Sequence, residues 1–154
     1  ARARALTVAR TPDPRRSAGE AVREFLRARG ASDSVVGGGL DGLIAGWEKV
    51  AESVERGYPL DTLDDYLNDM DLRQLIAETL AVVPIPARGT LAARLQTADM
   101  RIRAALVPAE RCLWGPAIAG KRGWSAAREW WYFMRPIRPG AGLRSDLGLG
   151  DRPE

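Results

Sequence analysis

This sequence predicts a mainly α fold, a compact bundle of about five helices with one short C-terminal β-hairpin. Three observations point there. Between residues 40 and 106, apolar side chains recur at three- and four-residue spacing, the period of helices with a buried face. Breakers separate those stretches: Gly57 with Pro59, then Pro84 with Pro86. The β-prone runs at 111–114 and 130–134 both lie toward the C-terminus. With 45% apolar and 28% charged content over 154 residues, one domain can bury a core without disulfides or metal.

Taken in order, residues 1–16 hold five arginines and two prolines without periodicity and read as a disordered arm. Ser17 and Glu20 form a capping box ahead of Val22, Phe25 and Leu26, and Gly30 stops that helix. Gly37, Gly39 and Gly42 satisfy G-x-G-x-x-G, with Asp61 near the distance of a ribose-binding acid. A dinucleotide site needs a strand before the glycines and another after the helix. Neither is present in the pattern, so the glycines read as a turn between helices.

The next helix carries Leu40, Leu43, Ile44, Trp47, Val50, Ala51 and Val54 within an arc of roughly 120°. Gly57 ends it, and Asp61 or Thr62 caps the following one. In that one Leu63, Tyr66, Leu67 and Met70 share a face, while Leu72, Leu75, Ile76, Leu80 and Val83 lie about half a turn away. The phase jump predicts a break at 68–71, with Asp71 capping a new helix and Gln74 in the reciprocal position.

The run Asp64-Asp65-Tyr66-Leu67-Asn68-Asp69 is superficially similar to the aspartate-rich motif of prenyl-transferring enzymes, where carboxylates hold magnesium against a diphosphate. No second acidic cluster accompanies it. A calcium loop starting at Asp69 fails too, because Gln74 stands where the turn glycine belongs. The acids read as a solvated helix face with caps.

From Thr90 onward Leu91, Leu95, Ala98, Ile102, Ala105 and Leu106 form one stripe, and Ala93, Thr97, Met100 and Ala104 a second, nearly opposite. A two-sided helix is expected to run through the middle of the fold. Four of the five tryptophans follow between 114 and 131. In an extended segment alternation sends Trp131 and Phe133 into the core, and Trp130 and Tyr132 outward beside Arg128. The domain is expected to span 17–138, with 139–154 a flexible tail.

Charge is segregated, +4 over residues 1–35, −7 over 36–87 and +6 over 88–154. The acidic hairpin should therefore pack beside the arginine-rich part. Of the 23 cations 21 are arginine, a bias that a GC-rich genome produces without selection for nucleic acid.

Without histidine and with Cys112 alone, the chain lacks histidine-based triads, zinc sites and an internal disulfide of its own. The apolar runs fall short of the ~20 residues of a membrane span, and no signal-peptide core opens the chain. A bacterial cytoplasmic protein is expected, with no catalytic, cofactor or metal residues assigned. Its expected function is that of a non-catalytic protein–protein interaction domain, of immunity, antitoxin or assembly type. The candidate contact residues are Arg94, Arg101, Arg128, Trp130, Tyr132 and Arg135. One rival is an arginine and tryptophan nucleic-acid binder; the other is a magnesium enzyme using Asp61, Asp64, Asp65, Asp69 and Asp71.

Overall fold

Ser17 opens the first helix, its hydroxyl accepting from the Glu20 amide at 3.1 Å, and α1 runs Ala18–Ala28 with Val22 and Leu26 buried. The computed structural model describes residues 17–150. It contains α2 (Asp33–Arg56), α3 (Leu63–Ala81), α4 (Leu91–Ala104), β1 (Leu106–Pro108), α5 (Pro116–Arg122), β2 (Met134–Pro136) and α6 (Ala141–Asp146). The fold is mainly helical, with a small two-stranded antiparallel pairing toward the C-terminus. The expected arm at 1–16 and the last residues of the expected tail, 151–154, lie outside the described residues.

Helix α2 starts earlier than the apolar pattern suggests. Ser32 caps it, and Gly37 and Gly38 lie within the helix; only Gly39 leaves it, at φ 58° and ψ −156°. The expected turn between helices is thus confined to Gly39, a kink at which glycine supplies the positive φ between two helical stretches. Beyond the kink all seven expected residues, from Leu40 to Val54, are buried. Each such aliphatic side chain contributes about 1.5–3 kcal/mol.

Gly57 ends α2 in the left-handed conformation, at φ 72°. A Cβ there would stand 2.0 Å from the Arg138 carbonyl oxygen, and the Gly57 carbonyl accepts from the Gly140 amide at 2.7 Å. The chain beyond Arg138 is therefore docked. Leu143 of α6 is fully buried, and Asp146 accepts from the Leu63 amide at the start of α3 at 3.0 Å. The ordered domain continues past Arg138, and 139–150 are part of it.

Helix α3 is continuous, so the expected break at 68–71 does not occur. Thr62 and Asp65 form its capping box. Its buried line passes through Tyr66, Met70, Arg73, Ile76 and Thr79. Two polar residues sit on that line, which is why apolar spacing alone mimicked a jump in phase. Thr79 satisfies its hydroxyl on the Leu75 carbonyl at 2.7 Å. Arg73 grips Asp99 of α4 through Nε and Nη2, both at 2.9 Å, and Asp99 also accepts from the Trp47 indole at 2.8 Å. The guanidinium lies 4.5 Å from the Trp131 ring centroid.

Helix α4 lies at the surface, against the expectation that it crosses the interior. Leu95, Ala98 and Ile102 are buried, while Ala93, Thr97, Met100 and Ala104 are exposed. The alanines and Thr97 of the second stripe lose little by staying wet, while Met100 is a large apolar side chain left 66% exposed. Along the seam with α2, Arg94 pairs with Asp41 and Glu48, and Arg101 chelates Glu55 at 2.5 and 2.8 Å. These contacts join the acidic hairpin to an arginine-rich helix.

The strands pair Leu106 with Pro136, Val107 with Arg135 and Pro108 with Met134, outside most of the expected β-prone runs. Trp130–Tyr132 is a single 3-10 turn. Three residues per turn send its side chains three ways, so alternation fails. Trp130, Trp131 and Tyr132 are all buried and Phe133 is only half-buried.

Candidate functional site

Four elements meet at a half-open cleft of about 360 Å³: the end of α1, the middle of α3, helix α5 and the aromatic turn. That volume lies in the range of small-ligand and side-chain pockets. Helix α5 is set against it by glycine punctuation. Gly115 at φ 93° precedes Pro116, Gly123 at φ 68° ends the helix, and the Trp124 amide returns to the Ala119 carbonyl at 3.0 Å. Ala119 points inward and is buried, which leaves Ile118 and Arg122 on the cleft side.

The walls are aromatic. Trp124 stacks on Tyr132 with centroids 4.3 Å apart at 25°. Trp114 is 37% exposed and Ile118 39%, an unusual exposure for such large apolar groups.

The floor, on α3, is rich in acceptors. The Tyr132 hydroxyl donates to Asp71 Oδ1 at 2.6 Å and the Trp114 indole to the same oxygen at 3.3 Å, which leaves Oδ2 without a donor among the described residues. Gln74 Oε1 is buried without a partner. Glu78 Oε2 has the Arg29 guanidinium at 2.7 Å, an ion pair whose angle does not make a hydrogen bond. Burial and then the bond to Asp71 push the Tyr132 phenol well above its ordinary value, so it is a fixed donor.

The candidate contact residues do not assemble into one surface. Arg94 and Arg101 are engaged by carboxylates of α2. Arg128 folds onto its own loop, donating to the Gly123 carbonyl at 2.7 Å, and Arg135 donates to the Pro136 carbonyl at 3.1 Å. Trp130 turns toward Trp47 and lies under Arg103, whereas Tyr132 turns toward Trp124 and Asp71. The outward assignment of Trp130 and Tyr132 is thereby corrected; only Tyr132 reaches the cleft, through one edge.

Among the carboxylates of the magnesium reading, Asp65 caps α3, Asp69 accepts from the Tyr58 hydroxyl at 2.6 Å, and Asp71 serves the cleft. Among the described residues no three metal-ligating side chains converge. Burial lifts the Cys112 thiol above its ordinary value, the direction opposite to activation as a nucleophile.

Sequence reasoning did not assemble Trp114, Trp124, Ile118, Gln74 and Glu78 into one site. The clustering of tryptophans was the available signal, but their union with α3 depends on hydrogen bonds spanning 43 and 61 positions. No known family model, curated protein or solved structure matches the chain.

Proposed function

We propose that the chain is a non-catalytic protein–protein interaction domain whose aromatic cleft receives an arginine or lysine side chain of its partner. The observation that carries this reading is the floor: Gln74 Oε1 is buried without a donor and Asp71 Oδ2 beside it accepts no bond among the described residues, while the walls are aromatic. A buried acceptor without a donor costs about 1–3 kcal/mol, which an incoming N–H group would recover. A guanidinium suits this site best, because its planar fork donates several hydrogen bonds while its face stacks on tryptophan. Arg122 at the rim is exposed and makes no ion pair among the described residues, so its flexible stem can swing aside.

The non-catalytic part rests on the acids and the thiol. Asp65 and Asp69 serve the fold, Asp71 is held by two neutral donors, and Cys112 is buried. As for membranes, no helix among the described residues is long and apolar enough to cross one.

An array of synthetic peptides differing only at a central Arg, Lys, Glu or Leu tests the reading. Arginine and lysine peptides should bind the wild-type chain. Preference for the glutamate or leucine peptide would overturn it.

A further inference from the structure

At the far end of α2, a cleft of about 680 Å³ opens between Arg56, the segment following β2, and α6. Three arginines line it, Arg56, Arg138 and Arg144. Their backbones are fixed relative to one another by the Gly57 junction, where the Gly140 amide bonds the Gly57 carbonyl at 2.7 Å, and by the Arg144 amide, which donates to the Gly140 carbonyl at 2.8 Å. No carboxylate lines the cleft among the described residues.

Of the described acids that adjoin the lining in sequence, Glu55 is chelated by Arg101 of α4 and Asp146 accepts from the Leu63 amide. Arg56 and Arg138 are exposed and make no ion pair or side-chain hydrogen bond among the described residues. Arg144 donates from Nε to the Gly150 carbonyl at 2.7 Å, and its terminal nitrogens make no ion pair or hydrogen bond among the described residues. Ser145 adds a hydroxyl to the lining.

Three like charges gathered in one concavity repel each other, whereas along the seam of α2 with α4 Arg94 and Arg101 are neutralised by carboxylates of α2. We infer that this cleft is a binding site for a compact, multiply charged phosphate anion such as an oligophosphate group. Guanidiniums suit phosphate oxygens through paired N–H donors, and three of them can surround a di- or triphosphate. The concave shape favours a compact anion over a long phosphodiester strand, which needs a continuous basic track.

The test is calorimetric titration of the full chain with sodium tripolyphosphate, pyrophosphate, orthophosphate and a single-stranded oligonucleotide at constant ionic strength. Saturable binding at one site is expected, tightest for tripolyphosphate. Arg56→Gln, Arg138→Gln and Arg144→Gln should each weaken it about tenfold, the scale of one lost charge-assisted contact. Arg128→Gln, an exposed arginine on a different loop, should leave it unchanged, and circular dichroism verifies that all four variants fold. The inference is overturned if tripolyphosphate does not saturate, if Arg128→Gln weakens binding as much as the other three, or if only the oligonucleotide binds.

Discussion

The Tyr132 hydroxyl donates to Asp71 Oδ1 at 2.6 Å, tying the aromatic turn to the middle of α3. Tyr132 is 1% exposed and stacked on Trp124, whereas Phe133 is half-buried. Tyr132→Ala should therefore cost about 3–5 kcal/mol in urea unfolding, and Phe133→Ala clearly less. Tyr132→Phe should cost about 1.5–3 kcal/mol, the scale of a hydrogen bond to a charged group. A larger loss from Phe133→Ala than from Tyr132→Ala would reverse this assignment.

Arg73 and Asp99 form the most enclosed ion pair among the described residues, with side chains 11% and 17% exposed. Asp99→Ala strands the guanidinium and the Trp47 indole together and should cost about 3–5 kcal/mol. Arg101→Ala breaks a pair that is about half-exposed and should shift the melting temperature far less. Equal shifts would mean that the buried network contributes no more than a surface contact.

Gly57 and Gly30 both have positive φ, at 72° and 75°, but only Gly57 meets another backbone. Gly30→Ala should cost about 1 kcal/mol, since only the conformation is strained. Gly57→Ala must also displace the Arg138 carbonyl and loosen α6, so its loss should exceed that of Gly30→Ala by about 1–3 kcal/mol. Comparable melting temperatures for the two variants would refute the docked position of 139–150.

Two carboxylates of α3 should give opposite pH dependence. Burial holds Asp69 above its ordinary range, against the pull of the Tyr58 hydrogen bond. The folded chain then keeps a proton that the unfolded chain releases, so this contribution is full below the ordinary value and is lost as pH rises through the raised one. Asp65 is held low by the Thr62 amide and hydroxyl. Its contribution is present above the ordinary value and is lost as pH falls through the lowered one. Across pH about 3 to 7, Asp69→Asn should gain on wild type as pH rises, while Asp65→Asn should fall behind it. Slopes of the same sign would contradict the two environments.

Helical periodicity made α1, the second half of α2 and the primary stripe of α4 legible, because there the buried line is apolar at every step. It misled on α3, where Arg73 and Thr79 occupy core positions that a hydrophobic pattern counts as surface. It also misled on the aromatic turn, since aromatic runs favour strands locally while contacts with Trp47, Arg73 and Trp124 fix Trp130–Tyr132 as a 3-10 turn. The cleft was visible only as a concentration of tryptophans. Its acceptor floor depends on Asp71, whose expected helix cap is replaced by bonds from Tyr132 and Trp114.

The partner-binding reading is tested most directly by two-dimensional NMR of the five indole N–H groups during titration with a short arginine peptide. Gln74→Leu serves as the control, because it removes a buried acceptor without a donor together with the 3.4 Å bond from Nε2 to Glu78, and the two opposing effects should leave stability within about 1 kcal/mol of wild type. In the wild-type chain the Trp114 and Trp124 resonances should move saturably while those of Trp47 and Trp130 stay in place, and Gln74→Leu should weaken the response. Unmoved Trp114 and Trp124 resonances, or a response that Gln74→Leu leaves intact, would contradict the account.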